Sequence, residues 1–564
     1  MNTTFNINTN EANRFDAIVI GAGLSGGWAI KECAEKGLKT LVLERGRDIK
    51  HGDYPTAHKE AWDFPHRKRL DPKILEENPI IARCYAYNKT TEHHFVKDRE
   101  HPYVQKKPFD WIRGYQVGGK SLMWARWVQR WSDLDFEANA KEGIGVDWPI
   151  RYKDIAPWYS YVEKFAGISG NRDGLGQVPD GEFLPPMEMN CMETFFKGKI
   201  ESQYPGRNLI ISRTANLSQR HNERGPCMYR SRCERGCPYA GYFSTNSVTL
   251  PAAEKTGNMT LRPFSVVHSI IYDDTLQKAT GVRIVDTNTR ETTEYFADLI
   301  FVNAGTLNTA LILLNSTSDR FPNGLGNDSD TLGRYLMAHD YRGGINAQYE
   351  GLQDKYYFGR RPTGTYVPRF RNYKDDKQLK FLRGYAYSCF ASRSSARSEE
   401  TMGADFKDSL FELGDWNISL GPMGECLPYE DNRVTLSKTQ TDDWGIPQLE
   451  IDCEYKENEN NMLEDSLTTG AEMMEAAGFK NISTHNSKHA PGLDIHEMGT
   501  ARMGRDPKTS VLNGFNQLHA VKNVIVSDGA CMTSSGCQNP SITYMALTAR
   551  AANHAIEEHK KGNL

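Results

Sequence analysis

The order of apolar and polar positions predicts a β–α–β unit near the start of the chain. An apolar run at Ala17–Ile20 enters a glycine-rich turn, a helical stretch follows to about Lys36, and a second apolar run covers Thr40–Leu43. Short apolar runs bounded by turn signals are typical of buried strands, and a helix between two of them is typical of a parallel sheet. The pattern therefore predicts an α/β fold.

The first turn carries a dinucleotide-binding fingerprint. Gly21, Gly23 and Gly26 have the G-x-G-x-x-G spacing between the strand and the helix. Gly21 would permit the tight turn, Gly23 would let a pyrophosphate approach the backbone, and Gly26 would allow close packing of helix on strand. Glu44 ends the second strand and is expected to accept hydrogen bonds from ribose hydroxyls. The motif predicts a bound dinucleotide but does not separate NAD from FAD.

Two later stretches repeat the strand-to-helix pattern. Residues 299–314, LIFVNAGTLNTALILL, predict a strand, a turn at Gly305 and a helix start that returns to the same nucleotide. Residues 523–552 predict a strand ending at Asp528 and Gly529, a loop, and a helix from about Pro540. Elsewhere, a glycine pair, Gly118 and Gly119, would let the backbone press against a flat ring, although a plain loop is the alternative.

Length and composition narrow the class of protein. A chain of 564 residues exceeds the size of one hydrophobic core, so two domains are expected. The net charge is −4 and Lys and Arg form no block, which argues against nucleic acid as a partner. No apolar run reaches the ~18–20 residues of a membrane helix. The polar N-terminal stretch lacks the pattern of a signal peptide, so export would depend on another subunit.

Three of the eleven cysteines stand apart from the rest. The odd, sparse number argues against a disulfide scaffold, and eight of them are scattered. Cys227, Cys233 and Cys237 are closely spaced in CMYRSRCERGCPY and precede a proline. Zinc would need a remote fourth ligand or a water. Iron–sulfur ligation fits better, because three thiolates suit a three-iron cluster and the arginines between them would offset its charge; three partly buried thiols in a loop are the alternative.

In their order along the chain, the motifs resemble the glucose–methanol–choline (GMC) family of FAD-dependent oxidoreductases. The matching pieces are GAGLSG with Glu44, VGGKSLMW, NAGTLNTALILL, LGRYLMAHD, HEMGTARMG and VSDGACMTSSGCQNPSITYMALTARAA. The resemblance implies an α/β, Rossmann-like FAD-binding domain with a discontinuous substrate domain on an antiparallel sheet. It implies the main FAD-binding part at 1–344, with the cysteine-cluster insertion at about 220–245. The substrate domain would cover 345–490, and 491–564 would return to the FAD domain with the catalytic residues.

The resemblance also implies which residues contact FAD. They are Gly21, Gly23, Gly26, Glu44, Gly118, Gly119, Ser121, Met123, Ala304, Asp528, Gly529, Asn539 and Pro540. In one relative, a histidine at the position of Met123 is joined covalently to the flavin. Because this chain has methionine there, noncovalent FAD is expected.

Alcohol oxidation by a flavin needs a base for the hydroxyl proton and a path for hydride to flavin N5. Histidine titrates nearest neutral pH. His496 matches the family's catalytic histidine motif and is expected to accept the proton. Asn539 matches the second catalytic position and would orient the hydroxyl, although capping the helix before Pro540 is another role for it. His485 and His489 are weaker candidates for substrate contact.

The C-x5-C-x3-C spacing resembles that of an iron–sulfur subgroup of bacterial GMC sugar dehydrogenases, which includes FAD-glucose dehydrogenase and glycoside 3-dehydrogenase catalytic subunits. The resemblance implies that Cys227, Cys233 and Cys237 hold a [3Fe–4S] cluster, which passes electrons from FAD towards a cytochrome c. It also implies a small subunit that bears a twin-arginine export signal. That partner predicts a periplasmic location, with the cytoplasm as the competing prediction.

The resemblance to glycoside 3-dehydrogenases implies oxidation of a ring hydroxyl, preferably at C3, of a sugar or glycoside to a ketone. The alternatives are oxidation of glucose at C1 or gluconate at C2, an oxygen-using oxidase, and a non-catalytic flavo-iron–sulfur electron-transfer protein. The cysteines argue against an oxidase, and the pair His496 and Asn539 argues against a protein without substrate chemistry. Aromatic residues that could stack on sugars, or else fill the core, are Trp124, Trp127, Trp131, Tyr356 and Tyr357.

Overall fold

The structure is a computed structural model that describes residues 13–355, 361–373, 379–396 and 400–564. Tyr356 and Tyr357, two of the predicted sugar-stacking aromatics, lie outside these residues. No helix of the described residues is long and apolar enough to span a bilayer.

The strands of the described residues form three sheets. Their bounds are β1 Arg14–Ile20, β2 Thr40–Leu43, β3 Val104–Gln105, β4 Ile210–Ile211, β5 Met259–Arg262, β6 Ser265–Asp273, β7 Lys278–Asp286, β8 Thr292–Val302, β9 His339–Asp340, β10 Gly343–Tyr349, β11 Thr365–Val367, β12 Tyr385–Ser395, β13 Leu413–Glu425, β14 Arg433–Thr441, β15 Pro447–Asp452, β16 Lys480–Asn486 and β17 Val524–Val526.

The α-helices pack on and between these sheets. Their bounds are α1 Leu24–Glu35, α2 Pro72–Glu77, α3 Asp133–Phe136, α4 Ala138–Glu142, α5 Tyr152–Ala166, α6 Cys191–Gln203, α7 Thr249–Glu254, α8 Thr306–Asn315, α9 Ala404–Ser409, α10 Glu457–Ala476 and α11 Ser541–Lys560.

The first sheet has the order β5-β2-β1-β8-β7-β6, and β17 pairs with β8. β1 runs parallel to both β2 and β8, so their carboxyl ends meet at one edge. Most residues of α1 are buried, and this helix packs against α11 and the sheet. The predicted strand Thr40–Leu43 and the helix after Pro540 are confirmed. β17 ends two residues before Asp528, because the chain leaves the sheet for a short 3-10 helix at Gly529–Cys531, which Asp528 caps.

The second sheet is antiparallel, with the order β16-β10-β13-β12-β11-β4, and β9 pairs with β13. One face packs on α6 and α10 around a separate core that includes Phe196, Tyr387, Ile418 and Met473. A small third sheet has the order β14-β15-β3. The α/β fold with an added antiparallel sheet is therefore confirmed.

The limits predicted for the domains stay a prediction. Most strands of the antiparallel sheet come from within 345–490. However, α6 and β4 join it from the stretch 191–211, well before residue 344. The apolar positions Met192, Phe196 and Ile200 explain this, because they lie on one face of α6 and are buried in the second core.

Candidate active site

A cavity of about 760 Å³ opens at the carboxyl ends of the parallel strands. Gly21 and Gly23 line it after β1, Ala304 after β8 and Asp528 after β17. The antiparallel sheet supplies further lining, including Phe390 of β12. Open α/β sheets bind ligands at this edge, and ligand pockets measure about 300–1,000 Å³.

The space around each fingerprint glycine shows what it does for the turn. Gly21 has φ +94°, and a Cβ there would lie 2.4 Å from the carbonyl oxygen of Asn303. A Cβ on Gly26 would lie 1.9 Å from the carbonyl oxygen of Gly21, so α1 packs directly on the turn. A Cβ on Gly23 would meet nothing within 4 Å and would enter the cavity. The first N–H groups of α1 lack a side-chain cap, so this cradle fits the pyrophosphate of a dinucleotide.

Glu44 stands directly after β2 and lines the cavity. One of its carboxylate oxygens accepts the backbone N–H of Ala22 at 3.1 Å, and the other accepts that of Gly46 at 3.0 Å. Burial raises the pKa of Glu44, and these two hydrogen bonds oppose the rise. Each oxygen keeps a further lone pair, so the carboxylate is able to accept from ribose hydroxyls.

Asp528 ties two strand ends together. Its Oδ2 accepts the backbone N–H of Gly305 at 2.9 Å and the hydroxyl of Thr309 at 2.6 Å, and its Oδ1 accepts the N–H of Ala530 at 3.0 Å. Burial raises the pKa of Asp528 to about 6. The predicted contact residues that line this edge of the cavity are Ala304, Asp528 and Gly529.

Only part of VGGKSLMW faces the cavity. Gly119 and Met123 line it. Gly118 lies behind the wall, where a Cβ would come within 1.9 Å of Asn246 Oδ1. The buried Ser121 hydroxyl donates to the carbonyl of Gly118 at 2.6 Å. The predicted contact residues outside the lining are Gly26, Gly118, Ser121 and Pro540. These residues shape the wall, and direct contact with FAD stays a prediction for them.

The structure brings His496 and Asn539 together at the cavity wall. Asn539 Nδ2 lies 3.4 Å from His496 Nε2, and both residues line the cavity that Gly23 lines. Burial lowers the pKa of His496 well below its usual value, and the charge of Lys120 adds to this effect. His496 is therefore neutral at neutral pH, which is the form that a general base needs.

The sequence motifs give no role to two residues that surround His496. His339 Nδ1 lies 3.0 Å from His496 Nδ1, and His339 Nε2 lies 3.2 Å from the carbonyl oxygen of Ser535. Asp494 accepts the backbone N–H groups of both histidines, at 2.8 and 3.2 Å. Burial lowers the pKa of His339 to about 4 and raises that of Asp494 to about 7. For His339, the available signal was the polar pair His339 and Asp340, which directly follows the apolar residues 336–338 at the end of LGRYLMAHD.

The loop with the three clustered cysteines borders the same cavity. Cys227, Cys233 and Cys237 all line it, are half-buried and form no disulfide. Gly236 has φ +81° and packs so closely on the ring of Tyr54 that a Cβ would lie 2.5 Å from it. Burial raises the pKa of the Cys227 thiol to about 11, and the Arg126 guanidinium opposes the rise.

The spacing of the thiols bears on what they could hold. Three or more ligand atoms must lie close together to hold one metal ion. Among the described residues, His339, Asp494 and His496 form the one such set within 4.8 Å, and the three cysteines do not form one. The three thiols therefore do not surround a single ion, since two sulfurs on one metal are at most about 4.6 Å apart with bonds of about 2.3 Å. A cluster gives each thiolate an iron of its own, so three free, half-buried thiols close to the positive charge of Arg126 have the chemistry that an iron–sulfur cluster needs.

The remaining candidates divide by their position. Trp124 and Trp127 line the cavity, whereas Trp131 is fully buried in the first core. His485 and His489 are absent from the residues that line the cavity. Their contact with substrate stays a prediction.

The fold and this site define a nucleotide-dependent oxidoreductase. A dinucleotide cradle and a half-buried, neutral histidine face one cavity, an arrangement suited to the oxidation of an alcohol.

Comparison with known proteins supplies the family. Models described as GMC oxidoreductase match residues 15–340 and 428–548. The chain belongs to the GMC oxidoreductase family and is an FAD-dependent enzyme.

Individual relatives match along nearly the whole chain. A 2-methyl-1,2-propanediol dehydrogenase of Mycolicibacterium austroafricanum is 26% identical, over 97% of this chain and 96% of its own. The fructose dehydrogenase large subunit of Gluconobacter japonicus is 24% identical, over 98% and 100%. The fold also resembles the crystal structure of pyridoxine 4-oxidase from Mesorbium loti, with a TM-score of 0.59, 17% identity and coverage of 96% and 99%.

Proposed function

We propose that this enzyme is a dehydrogenase that oxidises a ring hydroxyl of a sugar or glycoside, preferably at C3, to a ketone. One observation carries the proposal: Gly21 and Gly23 of the fingerprint, the pair His496 and Asn539, and the three cysteines line a single cavity. The names of the relatives, a dehydrogenase of a diol and one of fructose, support a hydroxyl compound as the substrate.

The protein residues divide the work on the hydroxyl group. FAD, when bound, would supply the acceptor for the hydride of the carbinol carbon. His496 takes the hydroxyl proton at Nε2, the nitrogen that faces Asn539 at 3.4 Å. The Asn539 Nδ2–H donates to the hydroxyl oxygen and fixes its direction, so that the proton points at the imidazole.

Aromatic residues that line the same cavity as the catalytic pair support a sugar. Phe390 and Tyr341 are about half-exposed and line the cavity, and the Phe390 ring lies 5.6 Å from that of Trp127. Aromatic faces next to a hydroxyl such as that of Ser388 offer both an apolar surface and a polar contact for a pyranose ring.

For the exit of electrons, we assign Cys227, Cys233 and Cys237 as ligands of a [3Fe–4S] cluster. The cluster, when bound, takes up and releases single electrons. Arg126 supports this assignment, because its positive charge favours the thiolate forms. We propose a cytochrome c as acceptor and a small subunit with a twin-arginine signal that carries the enzyme to the periplasm. The name of the fructose dehydrogenase large subunit, which indicates an assembly, supports a partner subunit.

The activity is tested by a screen of sugars and glycosides with an artificial electron-acceptor dye in the absence of oxygen. NMR of the product then locates the new carbonyl. A 3-ketone supports the proposal in full. A C1 lactone or a 2-ketone would move the site of oxidation, and flavin that no sugar bleaches would overturn the proposal.

The cluster is tested by serine variants and metal analysis. Cys233→Ser is expected to lose iron and the three-iron EPR signal of the oxidised protein. Cys191→Ser is the matched control, because Cys191 is also half-buried but begins α6 in the second core. Equal iron in both variants would contradict the assignment.

A further inference from the structure

Two histidine rings meet nitrogen to nitrogen at the cavity wall. His339 Nδ1 and His496 Nδ1 are 3.0 Å apart, and the ring planes cross at 80°. His339 is completely buried, and burial lowers its pKa to about 4. At neutral pH both rings are therefore neutral, and one shared hydrogen joins the two Nδ1 atoms. Which ring carries it decides the chemistry of His496.

The carbonyl of Ser535 determines which of the two rings carries the hydrogen between the Nδ1 atoms. Its oxygen lies 3.2 Å from His339 Nε2 and is able only to accept. The hydrogen of neutral His339 therefore sits on Nε2, and its Nδ1 keeps a lone pair. His496 must then donate from Nδ1, which leaves the lone pair of His496 on Nε2, facing Asn539.

The reverse arrangement would disable the proposed base. If His339 donated from Nδ1, its Nε2 lone pair would face the Ser535 carbonyl lone pairs, and a buried acceptor would lose its donor. His496 would then carry its hydrogen on Nε2 and present a donor to the cavity, where it could not accept a proton.

Asp494 holds the two histidines in register. Its Oδ2 accepts the backbone N–H of His339 and of His496, and its Oδ1 accepts the N–H of Gly492 at 3.2 Å. The hydroxyl of Tyr455 donates to the carbonyl of His339 at 2.7 Å. These bonds fix both backbones, so the contact between the rings does not depend on the side chains alone.

We propose that His339 is a positioning residue that fixes the Nδ1–H tautomer of His496, so that Nε2 is the proton acceptor. The proposal rests on the proposed function, in which His496 is the base. When Nε2 takes the hydroxyl proton, His496 becomes a cation with Nδ1–H still bound to the His339 lone pair. That hydrogen bond becomes charge-assisted and stabilises the cation, while His339 itself gains no proton.

The surrounding charges leave His339 as the neutral partner. Lys120 faces His496 and lies 3.0 Å from Glu497, and the two charges offset each other. Both carboxylate oxygens of Asp494 accept hydrogen bonds from backbone N–H groups. Among the described residues, no carboxylate is a hydrogen-bond partner of either imidazole. The partner of the His496 Nδ1–H is thus a second imidazole.

The tautomer is read directly in the wild-type holoenzyme by ¹⁵N NMR with labelled histidine. A His496→Gln sample identifies the resonance. The expected result is a protonated Nδ1 and an unprotonated Nε2 for His496. A protonated Nε2 would overturn the proposal without any variant of His339.

Two variants of His339 then test its role in turnover. His339→Asn keeps an amide oxygen able to accept from His496, whereas His339→Leu removes the acceptor. With equal FAD content, His339→Leu is expected to lower kcat by about 10²–10⁴-fold and move the acid limb of the pH profile, with KM changed much less. His339→Asn should recover most of this loss. Unchanged kcat and pH profile in His339→Leu would overturn the proposal.

These outcomes separate the two claims. If His496→Ala keeps normal turnover, the base assignment fails, whatever the variants of His339 do. If His496→Ala is inactive but His339→Leu is normal, only the positioning role fails.

Discussion

Alanine at two glycines of the same turn is expected to change two different properties. Gly26→Ala should lower the stability of the fold, whereas Gly23→Ala should weaken the binding of FAD. A Cβ on Gly26 would lie 1.9 Å from the carbonyl oxygen of Gly21, and a backbone atom cannot swing aside as a side chain can. Overpacking costs about 1–3 kcal/mol or more. Since this overlap exceeds 1 Å, we expect Gly26→Ala to lower the free energy of unfolding by about 3 kcal/mol or more.

Gly23→Ala is the matched substitution three residues away. A Cβ there meets nothing within 4 Å, and φ is −78°, so the apoprotein should lose less than about 1 kcal/mol at this helix start. The methyl group enters the space assigned to the pyrophosphate. Each charge-assisted hydrogen bond lost there, at about 1.5–3 kcal/mol, weakens FAD affinity roughly 10- to 200-fold.

The assay compares two quantities for each variant: FAD per chain from flavin absorbance, with affinity from titration of the apoprotein, and the unfolding midpoint of the apoprotein. We expect Gly23→Ala to fold normally but bind FAD poorly, and Gly26→Ala to unfold early. Normal FAD affinity in Gly23→Ala, or wild-type stability in Gly26→Ala, would refute the reasoning about the turn.

Three further outcomes are expected. Burial lowers the pKa of His339 from 6.5 to about 4, so the folded protein loses free energy of unfolding, on the order of 3 kcal/mol, as the pH falls from 6.5 towards 4. His339→Asn should remove most of this loss, as measured by denaturant unfolding at a series of pH values. Arg130→Met leaves the buried Glu163 carboxylate without its partner at 2.5 Å and should cost about 3–5 kcal/mol in denaturant unfolding, whereas adding Glu163→Leu should restore part of it. Glu44→Gln should weaken FAD binding about tenfold or more by flavin titration, because the amide nitrogen replaces one of two acceptor oxygens and cannot accept from a ribose hydroxyl or a backbone N–H, and unchanged affinity would contradict the role of Glu44.

Local patterns predicted the nucleotide-binding half well. The turn of Gly21 and Gly23 depends on a backbone conformation and on the absence of side chains, and neighbouring residues in the sequence determine both of these properties. The strand Thr40–Leu43 is fully buried, so a continuous apolar run identified it. By contrast, the packing of α6 and β4 on the antiparallel sheet joins residues about 150 positions apart, and no local pattern encodes that contact.

The site shows the same division. His496 and Asn539 were found through motifs, but their 3.4 Å separation depends on how two distant loops meet. The sequence predicted no role for His339, because its proposed role depends on contact with the carbonyl of Ser535, which lies 196 positions further along the chain. The spacing of the three thiols likewise depends on the path of a loop fixed by Tyr54 and Gly236, which the cysteine pattern does not specify.

The most direct test of the account is anaerobic flavin reduction in a single turnover. Wild type and His496→Ala, loaded with equal FAD, are mixed rapidly with the sugar that the screen identifies, and the bleaching of the flavin is followed. The account predicts that wild type bleaches rapidly and that His496→Ala bleaches about 10²–10⁴-fold more slowly. Equal rates in the two proteins would contradict the claim that His496 is the base for alcohol oxidation.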